Sequence, residues 1–215
     1  MGLHDVIFYS FPAFIIWAAY YAYLYYRVRK YPLETAIGTY NATRKAWVLS
    51  ILKSKEHILA VQTLRNWSMS AAFLASTASL LALGVLSFVL KPDDLIPIAL
   101  SHNYFSLSED IAVDFLRFKL LFLMVSLFVS FFSFSLAIRY YNKASFILCI
   151  HDLDGKYHHR TYSTRTVFNG ALYYMLGMRS YYLSVPLSLW LLGTLWLYLG
   201  ILLIVLIQYR MDYRP

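Results

Sequence analysis

The chain has 215 residues, of which 60% are hydrophobic and 14% charged, roughly half the charged share of about 25% usual in soluble domains. Nineteen Lys and Arg against eleven Asp and Glu leave a net charge of +8; in a chain this apolar that excess points to lipid headgroups or a membrane-adjacent partner, not to nucleic acid. These values exclude a disordered chain, a coiled coil and an ordinary soluble domain, and the single cysteine, Cys149, excludes an internal disulfide framework and a CxxC metal or redox motif.

The first long apolar run, Val6 to Tyr26, carries no charge. As a helix rising about 1.5 Å per residue it is long enough to cross a bilayer. Asp5 precedes it, no Lys or Arg does, and no small-residue cleavage pattern follows, so it reads as a span and not as a signal peptide. Pro32 to Gly38 then reads as a turn-rich entry to the loop 27–66, and a helical pattern from Arg44 leads toward the second span. If that helix is unbroken, Arg44, Trp47, Ile51, Ile58, Gln62 and Arg65 fall within about 60° of one direction. Two readings fit such a face: an interfacial helix turning its arginines toward lipid phosphates, or an anion site where Gln62 and Arg65 meet another span. Lys53-Ser54-Lys55-Glu56 is where the helix would break.

The second span, about 67–90, carries Ser68, Ala72, Ala75, Ser79 and Ala82 on one face, a small-residue stripe that lets helices pack closely. An acidic outer loop, 91–117, follows. The third span, about 118–138, has Lys119 at its edge, placed to snorkel to headgroups, and Ser126, Ser130 and Ser133 on one side, suited to packing or to a hydroxyl-lined pore. In the loop 139–181, His151-Asp152-x-Asp154-Gly155-x-x-His158-His159 fits no metal-ligand spacing, and Asp154-Gly155 reads as a tight turn. Val167, Phe168, Ala171, Leu172, Met175 and Leu176 predict a short amphipathic helix capped by Gly177. The fourth span, about 182–207, contains Pro186, Gly193 and Gly200, which permit bending.

Fourteen of the nineteen cations lie in the loops 27–66 and 139–181, five elsewhere. The positive-inside rule therefore places both basic loops in the cytoplasm and both termini away from it, in a plasma membrane or bacterial inner membrane. Tyr20, Tyr21, Tyr23, Tyr25 and Tyr26, then Tyr140 and Tyr141, then Tyr181 and Tyr182 sit at span ends like an aromatic belt. No Asp, Glu or His lies within a span, which disfavours proton relays and ion-coupled transport. No nucleophile elbow, HExxH, P-loop or GxGxxG occurs, and the sequence calls for no metal or cofactor.

Several segments carry a resemblance: Ala60-Val61-Gln62-Thr63-Leu64-Arg65-Asn66 flowing into Met69, Ala72 and Ala75; Pro32-Leu33-x-Thr35-x-Ile37-Gly38 before Arg44-x-x-Trp47; Arg139-Tyr140-Tyr141-Asn142; and Gly177-x-Arg179-x-Tyr181-Tyr182-x-x-x-Pro186. Together they resemble the membrane-protein family catalogued as domain of unknown function 599. The resemblance implies a four-span membrane protein and no activity. Arg44, Gln62, Arg65, Asn66, Arg139, Asn142 and Arg179 flank the cytoplasmic ends of the spans, where they would meet lipid phosphate, a carboxylate or a partner chain. The expected protein is thus all-α, a single membrane domain with amphipathic cytoplasmic segments. It is expected to be a non-enzymatic oligomeric or accessory subunit whose partners are membrane lipids and other subunits or its own copies. The rival expectation is a homo-oligomeric anion channel. An enzyme acting on a lipid headgroup is disfavoured, since no acid, base or nucleophile is evident at membrane level.

Overall fold

A computed structural model describes residues 3–54, 56–91, 96–97, 109–150 and 159–213. Helices α1 (Leu3–Lys30), α2 (Ala36–Ser54), α3 (His57–Val89), α4 (Glu109–Cys149), α5 (His159–Leu189) and α6 (Thr194–Tyr213) account for almost all of them, with a 3₁₀ turn at Pro32–Glu34. Among the described residues, three helices are long and apolar enough to cross a membrane: His57–Val89, Asp110–Cys149 and Thr194–Tyr213. Large apolar side chains such as Phe73, Leu80, Phe132 and Leu195 stand fully outward. A surface of that kind belongs against lipid, not water. The protein is an all-α membrane protein.

The predicted spans 67–90 and 118–138 lie inside α3 and α4, and 6–26 inside α1. The predicted span 182–207 is not one helix. The α5 helix ends at Leu189, a tight turn follows, and Gly193 adopts φ 152°, which favours a residue without a Cβ. Gly193, not Gly177, is therefore the glycine that closes α5. Gly177 lies in mid-helix, buried against the Phe134 ring.

This break changes the topology. Ser126 and Ser130 of α4 donate to the carbonyls of Ser180 and Gly177 at 2.9 and 3.1 Å, so α5 runs back along α4. Pro186 touches Gly200, and Arg179 pairs with Asp212, so α6 runs back along α5. Against α1, Tyr198 donates to the Tyr9 carbonyl at 2.8 Å near both helix starts, and Tyr20 donates to Asp212 at 2.7 Å near both ends. The first and last helices are thus parallel. The end of α6 lies beside Arg27 and Tyr23, at the opposite end of the bundle from Tyr9, whereas the sequence pattern alone places both termini on one face.

Small residues let the helices approach. On α3 the buried row is Ala71, Ala75, Ala78 and Ala82, facing α4. The predicted stripe is therefore rotated: Ala75 and Ala82 are in the seam, Ser68 and Ser79 are half-buried, and Ala72 faces out. Lys119 does not snorkel. It is buried, donates to the Trp190 carbonyl at 3.0 Å and lies 4.4 Å from the Phe115 ring centre. A cation at this point adds a second hydrogen bond to a carbonyl of the turn that ends α5, which also accepts from the Gly193 N–H at 3.2 Å. Most of the acidic segment and all of 151–158 lie outside the described residues, while 109–117 already belong to α4.

The close α5–α6 contact is testable. A Cβ at Gly200 would sit 2.9 Å from the Pro186 Cα, whereas one at Gly84 would meet nothing within 4 Å. Gly200→Ala should lower stability by about 1–3 kcal/mol through overpacking, and Gly84→Ala should leave it unchanged or raise it by up to about 1 kcal/mol. Thermal unfolding in detergent reads both.

Candidate functional site

The polar centre of the molecule forms where α5, α6, α1 and α2 converge. Arg179 Nη2 lies 3.1 Å from Asp212 Oδ2, with both side chains largely buried. The Tyr20 hydroxyl donates to the same carboxylate, and the Tyr21 ring centre lies 4.9 Å from the Arg179 guanidinium carbon. Tyr21 in turn donates to Gln208 Oε1 at 2.7 Å. Gln208 is buried, and its Nε2 has no hydrogen-bond partner. A buried amide nitrogen left so is costly unless something accepts from it.

That residue lines a cavity of about 260 Å³, together with Arg44, Arg179, Asp212 and Tyr182. Arg44 reaches it from α2. It donates to Asn41 Oδ1 at 3.2 Å and lies beside the Tyr40 ring, and among the described residues no carboxylate pairs with it. Burial draws its pKa below the ordinary arginine value, the nearby Tyr141 opposing that shift. An anion placed beside it would relieve the same desolvation. With two guanidiniums and one carboxylate in its wall, the cavity favours an anion.

A second cavity, about 570 Å³, adjoins the first through Tyr40, Arg44 and Tyr174, which line both. Its other walls include Trp47, Trp67 and Tyr141. Trp47 and Trp67 are 5.5 Å apart between ring centres and tilted by 47°, and Trp67 and Tyr141 are 5.6 Å apart and tilted by 57°, so the rings form an angled aromatic wall.

Of the seven polar residues named from sequence, the structure brings Arg44 and Arg179 together. Gln62, Arg65, Asn66 and Arg139 stand exposed on α3 and α4, and Asn142 accepts a hydrogen bond from Ser68 at 3.1 Å. The shared face of Arg44 and Arg65 is absent because α2 closes at Ser54 and α3 opens at His57. Ser126, Ser130 and Ser133 are buried, and the first two donate to the α5 backbone across the α4–α5 seam. Asp212, Gln208, Tyr20 and Tyr21 escaped the sequence reading. One signal was present: Asp212 is the only acidic residue after Asp154.

The fold and site define an integral membrane protein with an internal, net-positive polar cavity at one end of its helices. A family model described as a protein of unknown function, DUF599, matches residues 9–215, and the chain belongs to that family. No curated protein and no solved structure matches it.

The ion pair makes a sharp prediction. Arg179→Gln or Asp212→Asn alone strands a buried charge and should cost about 3–5 kcal/mol, whereas the double variant should recover a large part of the loss. A double-mutant cycle on thermal unfolding measures the recovery.

Proposed function

We propose that this protein is a non-enzymatic accessory component of a plasma membrane or bacterial inner membrane that holds an anionic lipid at its basic end. The observation that carries this reading is a cavity walled by two guanidiniums and one carboxylate, with the Gln208 amide beside them and Arg44 paired with no carboxylate among the described residues. Arg44, free of any carboxylate, offers a planar fork of donors to a phosphate. A non-catalytic role is supported by the state of the site's groups: Asp212 is already engaged by Arg179 and Tyr20, and the other polar wall groups are amide, phenol and guanidinium. The protein would act as a lipid-dependent subunit of a membrane assembly, in contact with other subunits or further copies of itself.

Native mass spectrometry tests the lipid reading. The wild-type protein should retain phosphatidylglycerol over phosphatidylcholine, Arg44→Gln should lose that retention, and Lys45→Gln, an exposed neighbour on the same helix, should keep it. Equal retention of the two lipids by the wild type would refute the proposal.

The charge split further supports a cytoplasmic basic end, with the start of α1 outside. With Cys149 replaced, Arg160→Cys should be protected from impermeant thiol reagents in intact cells, and Lys91→Cys should react. The reverse pattern would overturn this orientation.

A further inference from the structure

The lipid reading leaves the larger cavity without a role. Its size lies within the range of about 300–1,000 Å³ usual for small-molecule sites, and it is walled as such sites are, by aromatic rings with a few polar groups. Thr63 and Ser70, which also line it, donate to the carbonyls of Leu59 and Asn66 within their own helix. Their hydroxyl protons are therefore already engaged. Tyr141 differs: it is 3% exposed, yet among the described residues its hydroxyl has no hydrogen-bond partner. The wall thus offers several aromatic ring faces set at angles to one another, a phenol among them without a hydrogen-bond partner, and Arg44 at the boundary with the anion cavity.

We infer that the two cavities form one bipartite site for an anionic lipid whose headgroup continues beyond the phosphate into a polyhydroxylated ring, with the phosphate at Arg44, Arg179 and Gln208 and the ring on Trp47, Trp67 and Tyr141. This inference rests on the lipid reading above and adds the class of headgroup. A sugar or cyclitol ring has an apolar C–H face that covers an aromatic plane and an equatorial rim of hydroxyls that need partners. The aromatic wall and the Tyr141 phenol match those two requirements. An apolar acyl chain would leave the phenol unsatisfied, and a bare phosphate would leave the aromatic wall uncovered. On the opposite side, Met175, Met178 and Met211 line the anion cavity and give the glycerol and acyl portion a pliable apolar path outward.

The test compares two lipids of equal charge. The full chain in phosphatidylcholine nanodiscs is doped with either phosphatidylinositol or phosphatidylglycerol, and retained lipid is counted by native mass spectrometry alongside tryptophan fluorescence. Phosphatidylinositol should be retained about five-fold better, the scale of an aromatic stacking contact, and should perturb the fluorescence. Trp47→Leu should abolish the preference while phosphatidylglycerol retention persists. Tyr141→Phe, which removes only an unpartnered hydroxyl and so keeps the fold, should reduce the preference. Arg44→Gln should weaken both lipids alike. Equal retention of the two lipids by the wild type, or a preference untouched by Tyr141→Phe and Trp47→Leu, overturns the ring inference and leaves the lipid reading standing. No retention of either above phosphatidylcholine overturns both. Full displacement of phosphatidylinositol by an equal concentration of soluble myo-inositol 1-phosphate would assign the site to a free sugar phosphate, and so overturn the lipid as its source.

Discussion

A guanidinium buried between helices stays charged, so leaving it without a counter-charge costs several kcal/mol. Asp212 supplies it to Arg179, and Asp212 is held in turn by the Tyr20 hydroxyl. That one junction fixes the register of three helices: the middle of α5, the end of α6 and the last third of α1. The other end of α6 is pinned independently, by Gly200 against Pro186 and by Tyr198 on the Tyr9 carbonyl. With both ends tied, α6 cannot slide along its neighbours. Gln208, one turn before Asp212, is thereby held at the cavity wall, and Arg44 meets it from a helix outside the three.

The remaining helices hold together by a different means. In lipid there is little hydrophobic force between apolar helices, so close packing and interhelical hydrogen bonds must do the binding. The α3–α4 seam uses four buried alanines. The α4–α5 seam uses Gly170 on Tyr141, Gly177 on Phe134, and serine hydroxyls donating across to backbone carbonyls. Lys119 closes the far end by donating to the Trp190 carbonyl, which stabilises the turn that sends α6 back. Polar groups thus appear where two backbones already lie close.

Much of the architecture was legible in the sequence because long uncharged runs have few alternatives. The two central spans, the all-α class and the aromatic ends follow from that alone. The break after Leu189 was not legible: Leu-Leu-Gly reads as more apolar helix until tertiary context puts Gly193 at φ 152°. Missing that break joined two helices into one and hid the return of α6 along α5. The Ala72 stripe failed for a smaller reason, since an alanine-rich helix offers several small faces and only the partner selects one. At the site, Arg44 and Arg179 stood out as cations without sequence-local partners. Their surroundings did not, because Tyr20 and Asp212 are separated by 192 positions and contact through folding alone.

The same separation has a kinetic side. Asp212 trails Arg179 by 33 residues, so at a synthesis rate of about 5–20 residues per second the arginine waits seconds for its carboxylate. Tyr21, made long before either, is the neighbour already available, and its ring still lies beside the guanidinium in the finished fold. A cation over an aromatic face gains part of what an ion pair would give, without a second charge. In the finished fold the guanidinium thus has two neighbours of different kinds, an aromatic face from the first helix and a carboxylate from the last.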